Sequence, residues 1–267
     1  MTTPVDYLYQ LLAAFEADEV SLKFDPVFQL EADQLKLHGL RSVVDWPLES
    51  RNQVTSIFKE AERFGMSLAV DEPSIRLLFR YLKNFKSVFE HPIQLYVSVC
   101  ITSFTTDTLV RLITDLADDI EFDLSNLTLC LKENYPNKDY LAQLYHLNEL
   151  KGLNVKISVT HSENNPPRVD LMTKAQVNFI ELSRELVLNY KSNKQISQYL
   201  KGMIATIRNL NKSVYVDGVS DLEMINFFRA CGAEYFSGSV VSDTVNVCDL
   251  SKINRSLDTA MQSVARN

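Results

Sequence analysis

Ile93-Gln94-Leu95-Tyr96-Val97-Ser98-Val99-Cys100-Ile101 is an apolar, β-branched run of strand length, and Thr106 to Leu116 after it carries apolar residues at helical spacing. The same strand-then-helix unit recurs down the chain. Leu127 to Leu131 is a short apolar strand, followed by a helix over Lys138 to Leu150. Val155 to Val159 alternates as a strand and opens into a polar loop, His161 to Arg168, that contains Pro166-Pro167. Val177 to Leu182 precedes a helix over Gln195 to Asn209, and Ser213 to Val219 precedes Asp221 to Cys231. Glu234 to Phe236 begins the last strand, with Leu250 to Val264 as the closing helix.

Upstream of Ile93 the rhythm differs. Val54, Ile57, Phe58 and Ala61 recur at helical spacing, as do Ile75, Leu78, Leu82 and Phe85. Before Pro47, Leu22 to Leu30 and Gln34 to Trp46 read as two extended segments, with Glu31-Ala32-Asp33 as a hairpin turn. A first helix over Asp6 to Ala17 places Leu8, Leu11, Leu12 and Phe15 on one face. Several βα units with short connections and no linker-like segment imply one parallel-sheet domain. With this many units the expected fold is a closed TIM-type (β/α)8 barrel with an antiparallel first strand. A single domain is expected over 1–267, with an N-terminal helix over 5–17 and the barrel over 20–265.

Composition narrows the function classes. A net charge of −7 opposes direct nucleic-acid binding, which needs clustered Lys and Arg to displace counterions. No apolar run approaches the roughly 20 residues that span a bilayer, and Met1 to Glu19 lacks a positive n-region, so the expected location is the cytoplasm. Four irregularly spaced cysteines, Cys100, Cys130, Cys231 and Cys248, suit a reducing compartment. Only seven glycines occur, and none has the spacing of a dinucleotide fingerprint or a P-loop. His-Glu-x-x-His and Gly-x-Ser-x-Gly are absent as well.

Gly39-Leu40-Arg41-Ser42-Val43-Val44-Asp45-Trp46 resembles Gly-x-Glu-Ala-Leu-x-Arg-Trp, the segment that names the EAL domains, the cyclic-di-GMP phosphodiesterases of bacteria. Later segments follow in the family's order. Leu95 to Phe104 resembles its Val-Asn-Leu-Ser strand, Leu127 to Asn134 its Leu-Glu-Ile-Thr-Glu strand, and Gly152 to His161 the stretch ending in paired aspartates. Asn178 to Arg184 sits where the family has Asp-x-x-Lys-Ile-Asp, and Asp217-Gly218-Val219 and Gly232 to Gly238 resemble Glu-Gly-Val-Glu and Gly…Gln-Gly.

The resemblance implies a site where acids and amides at the strand ends hold two hard cations that activate water. Against that pattern, Arg41 replaces the glutamate of the naming motif, Cys100 the asparagine ligand, and Cys130 the strand glutamate. Thr160-His161 replaces the paired aspartates, Glu181 the catalytic lysine, Ser183 a carboxylate and Ser237 the glutamine. Asp217 keeps a shorter carboxylate, and Glu133 is the one family acid kept in full. Asp45 stands where an arginine approaches phosphate, and the glycine-rich loop is the unrelated run Ser162 to Pro167. By this resemblance the chain is expected to be a degenerate EAL domain, not an enzyme, with no catalytic residues, metal or cofactor.

Opposite charges at Arg41 and at Glu181 or Asp217 suggest an internal ion pair in the vacated site, against Arg41 pointing to solvent. Cys100, Cys130 and His161 could converge on Zn²⁺, but structural zinc wants four ligands, and small buried thiols are the favoured alternative. Leu131 to Pro136 is similar to a segment of the non-catalytic, YdiV-like members of the family, which restrain flagellar genes. That similarity implies a regulatory protein as partner, of the type of an FlhD-like transcription-factor subunit, in control of motility, adhesion or virulence genes. No nucleic acid, membrane or cyclic-di-GMP binding is expected. The alternative is a metal-independent cyclic-di-GMP receptor. A thiol enzyme using Cys100 or Cys130 with His161 ranks last.

Overall fold

The antiparallel start is a long hairpin. In the computed structural model, which describes residues 4–31, 34–46, 51–83, 85, 88–89, 92–132, 140–161, 173, 177–192 and 194–253, β1 (Ser21–Glu31) pairs along its length with β2 (Gln34–Asp45). The register runs from Ser21↔Asp45 to Glu31↔Gln34, with one irregularity between Val27 and Phe28. That bulge twists the hairpin so that its two strands can face different neighbours.

From β2 onward the strands are parallel. β3 (Gln94–Cys100), β4 (Leu127–Lys132), β5 (Lys156–His161), β6 (Phe179–Leu182), β7 (Ser213–Asp217) and β8 (Tyr235–Ser237) follow in chain order. β1 closes the ring antiparallel to β8, through Phe28↔Phe236 and Gln29↔Tyr235. A short β9 (Val245–Asn246) pairs with β1 beyond the closure. The result is a closed eight-stranded barrel with helices outside, as the sequence predicts. Gly39 marks the passage into the parallel sheet: a Cβ there would lie 2.3 Å from the Gln94 carbonyl oxygen. Only a residue without a side chain lets β2 approach β3 so closely.

Among the described residues the α-helices include α1 (Pro4–Glu16), α2 (Arg51–Arg63), α3 (Ser67–Leu82), α4 (Thr108–Asp119), α5 (Tyr140–Gly152), α6 (Arg184–Leu188), α7 (Lys194–Asn209) and α8 (Leu222–Cys231). α8 shows why such boundaries form. The Asp221 carboxylate accepts from the Met224 N–H at 2.8 Å, and the helix stops at Gly232, whose φ of 101° is left-handed.

Two apolar regions hold these layers together. Outward-facing strand residues such as Leu95, Val97, Leu129 and Ile157 pack with the helix stripes in one large core. Inside the barrel, Val27, Tyr96, Cys130, Phe179, Tyr215 and Tyr235 form a second. α3 is also pinned by a buried carboxylate: Asp71 accepts from the Cys100 N–H at 2.8 Å and from the Ser103 hydroxyl at 2.6 Å. These bonds fix the helix to the end of β3.

Some boundaries differ from the sequence reading. β3 stops at Cys100, and Ile101–Phe104 turns as a 3-10 helix. β7 ends at Asp217 rather than Val219, because Gly218 takes a φ of 88°. The hairpin turn, the loop after His161, and the closing helix beyond Ile253 lie largely or wholly outside the described residues. No described helix is long and apolar enough to cross a membrane.

Candidate functional site

Side chains alternate across a strand, so inward-facing positions near the C-terminal strand ends converge inside the barrel. Arg41 on β2, Cys130 and Lys132 on β4, Glu181 on β6, Tyr215 and Asp217 on β7, and Ser237 on β8 meet there.

The centre is a forked ion pair. Arg41 Nη1 donates to Glu181 Oε1 at 2.8 Å and Nη2 to Oε2 at 2.7 Å. The two side chains are 6% and 4% exposed, so the pair is desolvated on both sides. The guanidinium also lies 4.6 Å from the centroid of the Tyr215 ring, and its Nη1 is 4.0 Å from Asp217 Oδ2. A hydroxyl relay completes the cluster: Tyr215 donates to Ser237 Oγ at 2.7 Å, and Ser237 donates to Asp217 Oδ1 at 2.7 Å. Each carboxylate in the cluster therefore has a donor, which a buried charge requires.

The electrostatics follow from this packing. Burial acts to lower the Arg41 pKa, but its neighbours, the Glu181 carboxylate first among them, more than offset it and the net shift is upward. Burial lowers that of Lys132, against the pull of Glu181. Cys130 is pushed up to about 12 by burial, although Arg41 works the other way, so its thiol stays protonated. Cys100 rises to about 12 for the same reason, with Glu62 adding to it.

The other sequence candidates do not join this cluster. Cys100 is in register with Lys132, whereas Cys130 faces Ser98, so the two thiols sit at different levels of the barrel. Cys100 Sγ pairs instead with Thr102 Oγ1 at 3.1 Å. His161 Nε2 pairs with the Tyr199 hydroxyl on α7 at 3.0 Å, and burial lowers its pKa. Among the described residues no group of three or more His, Cys, Asp or Glu could hold a metal ion, so the weighed zinc site is not assembled. Thr160 is the register neighbour of Glu181 on β5. Ser183 caps α6, its Oγ accepting from the Leu186 N–H at 3.4 Å. Asp45 forms an ion pair with Lys23 at 2.9 Å. Glu133 lies outside the described residues.

Sequence reasoning passed over Tyr215 and Lys132. Each lies two residues from a residue it did single out, Asp217 and Cys130, and the two-residue period of a strand places them on the same inner face. α6 was also missed, being a five-residue helix too short to show periodicity.

A pair of hard cations would need several free carboxylate or carbonyl oxygens. Here both Glu181 oxygens are held by Arg41, which can only donate, and Cys130 is a neutral thiol. These residues do not fit such a pair.

Comparisons with known proteins agree on the architecture. The EAL domain family matches residues 9–244. Cyclic di-GMP phosphodiesterase TpdA of Vibrio parahaemolyticus is 27% identical over 117 residues, covering 43% of this chain and 20% of that protein. The chain thus spans about a fifth of that relative's length. The EAL enzyme Bd1971, in its cAMP and cyclic-di-GMP bound form, superposes with a TM-score of 0.80 at 17% identity, covering 96% of this chain and 69% of that one. The PaMucR phosphodiesterase in its c-di-GMP complex gives 0.79 at 17% identity, covering 91% and 98%. The Xanthomonas citri FimX EAL domain in complex with c-diGMP gives 0.73 at 16% identity, covering 91% and 94%. These likenesses correct one expectation. The sequence reading of the chain as no enzyme is overturned, because TpdA and PaMucR are phosphodiesterases and Bd1971 is an enzyme, so the relatives point to an enzyme.

Proposed function

The chain belongs to the EAL domain family, and from that membership we propose that it acts in cyclic-di-GMP signalling as a regulatory interaction module. In this reading it binds a regulatory protein, of the kind of an FlhD-like transcription-factor subunit, and thereby alters motility, adhesion or virulence gene expression. In binding a regulator it is like the YdiV-like members, whatever its turnover, and it works in the cytoplasm. The observation that supports the reading is the Arg41–Glu181 fork. Both Glu181 oxygens are taken up by the guanidinium, so the two opposite charges at the barrel mouth offset each other within the chain. The net charge of −7 suits a basic partner surface. The proposal concerns what the chain binds and holds with or without turnover of cyclic di-GMP.

The test is a flagellar-promoter reporter together with swimming motility, measured while the chain is expressed from an inducible promoter. Both are expected to change with induction. A reporter and a swimming rate that stay flat across the induction range would overturn the reading.

A second reading, a cyclic-di-GMP receptor, is favoured by two cations among the described residues at the mouth, Arg41 and Lys132, and by the nucleotide present in the PaMucR and FimX structures. Calorimetric titration with cyclic di-GMP, with Mg²⁺ and again with Ca²⁺, decides it. Saturable heat that Lys132→Ala removes supports the receptor, and the absence of heat eliminates it.

A further inference from the structure

A cleft lies at the end of the barrel opposite the Arg41 cluster, where β3 and β4 begin and α3 and α4 end. Its volume is about 620 Å³, with Leu82, Phe85, Phe89, Ile93 and Phe122 among its apolar lining. That volume falls within the roughly 300–1,000 Å³ of ligand-sized pockets. Its rim carries Asp119, Glu121 and Asp123, all exposed, and Lys83 is the one cation lining the cleft among the described residues.

Two of the acids, Asp119 and Glu121, are placed against local energetics. Asp118 and Asp119 end α4, where the helix dipole is negative and cations are favoured, and the last turn holds no basic residue. Glu121 follows in a left-handed conformation, with a φ of 52°. Asp123 stays ionised, its carboxylate held below the usual range by the Ser125 N–H and hydroxyl. The chain thus keeps three like charges beside an apolar opening and a helix C-terminus, with Lys83 in the lining and Lys156 acting on Asp123 as opposing charges among the described residues.

We propose that this cleft is a docking site for a basic amphipathic helix of a partner protein. Large apolar side chains from one face of that helix enter the cleft, and lysines or arginines on its flanks meet Asp119, Glu121 and Asp123. A second copy of this chain fits poorly, since its net charge is −7. The proposal rests on the reading of the chain as an interaction module and gives that module's partner a chemistry.

The probe is a labelled synthetic Lys/Leu peptide with leucines at helical spacing, followed by fluorescence anisotropy, with a Glu/Leu peptide as control. The Lys/Leu peptide is expected to bind, to weaken as salt is raised, and to shift backbone amide signals around Phe89 and Phe122. The variant Asp119→Lys/Glu121→Lys/Asp123→Asn, which keeps the acceptor that caps Ser125, is expected to lose at least about tenfold in affinity. A check by thermal melting verifies that this surface variant is folded. Equal affinity of wild type and variant, equal binding of the Glu/Leu peptide, displacement by equimolar spermine, or signals shifting elsewhere would each overturn the proposal. The reporter assay separates the two claims. A reporter that responds alike to wild type and variant overturns the cleft and leaves the module. A reporter that responds to neither, while the peptide binds as expected, overturns the module and leaves the cleft.

Discussion

Arg41→Ala is expected to destabilise the fold by about 3–5 kcal/mol, the range for breaking a buried ion pair by removing one partner. The cost comes from what is left behind. Glu181 is 4% exposed on its side chain and receives both of its strong donors from the guanidinium. Without Arg41 the carboxylate stays buried near Asp217, which approaches the same guanidinium at 4.0 Å. Urea denaturation with linear extrapolation measures the loss, and thermal melting should fall by roughly 2–4 °C per kcal/mol for a chain of this size class. The paired substitution Arg41→Met/Glu181→Leu should recover most of the loss, since replacing both ions with apolar groups of similar volume is often neutral. Single and double variants of equal stability would mean that the two side chains do not interact. Arg41→Lys should fall between, because an ammonium cannot make the two-pronged contact.

Asp71→Asn should gain stability relative to the wild type as pH rises from about 4 to about 7. Burial raises the Asp71 carboxyl from its ordinary 3.8 to about 7, outweighing the Ser103 and Cys100 hydrogen bonds that pull it down. The unfolded chain therefore releases this proton first. The contribution of the group is fully present below 3.8 and is lost as pH climbs through about 7. At roughly 1.4 kcal/mol per pH unit, the gap is worth about 4 kcal/mol. Asparagine keeps an acceptor for the Cys100 N–H and the Ser103 hydroxyl without ever ionising. His38 acts in the opposite sense. Burial, helped by Lys156, lowers it from 6.5 to about 4, so its contribution is present above 6.5 and lost as pH falls toward 4. The wild type should thus show a flattened profile between these limits. Asp71→Asn should show stability rising with pH there, and His38→Gln stability falling. Parallel profiles for all three proteins would refute the account of Asp71.

Much of the barrel is legible in the sequence, because its strands and helices carry different apolar periods. Leu127 to Leu131 and Gln195 to Asn209 fall within a residue or so of the observed β4 and α7. The antiparallel start is also readable, from two long extended segments before Pro47. Register is not. Nothing local states that Cys130 faces Ser98 and not Cys100, a two-residue offset that alone separates the thiols. Strand ends set by conformation are equally hidden, as at Gly218, where an apolar pattern continues past the turn. At the site, the opposite charges of Arg41 and Glu181 are visible in the sequence, but the two-pronged contact that buries them depends on barrel closure. The relay from Tyr215 through Ser237 to Asp217 joins two strands and has no one-dimensional trace beyond strand alternation. Replacement of the family's acids reads as loss of activity from sequence alone. The phosphodiesterase relatives overturn that inference, since composition at vacated positions does not measure turnover.

The most direct test of the central claim, that this EAL domain works by binding a regulatory protein, is native mass spectrometry of the tagged chain isolated from the cells that encode it. The account predicts a complex with one transcriptional regulator in equal amount that persists when cyclic di-GMP is added. A chain recovered without any protein partner and carrying cyclic di-GMP in its place would contradict it.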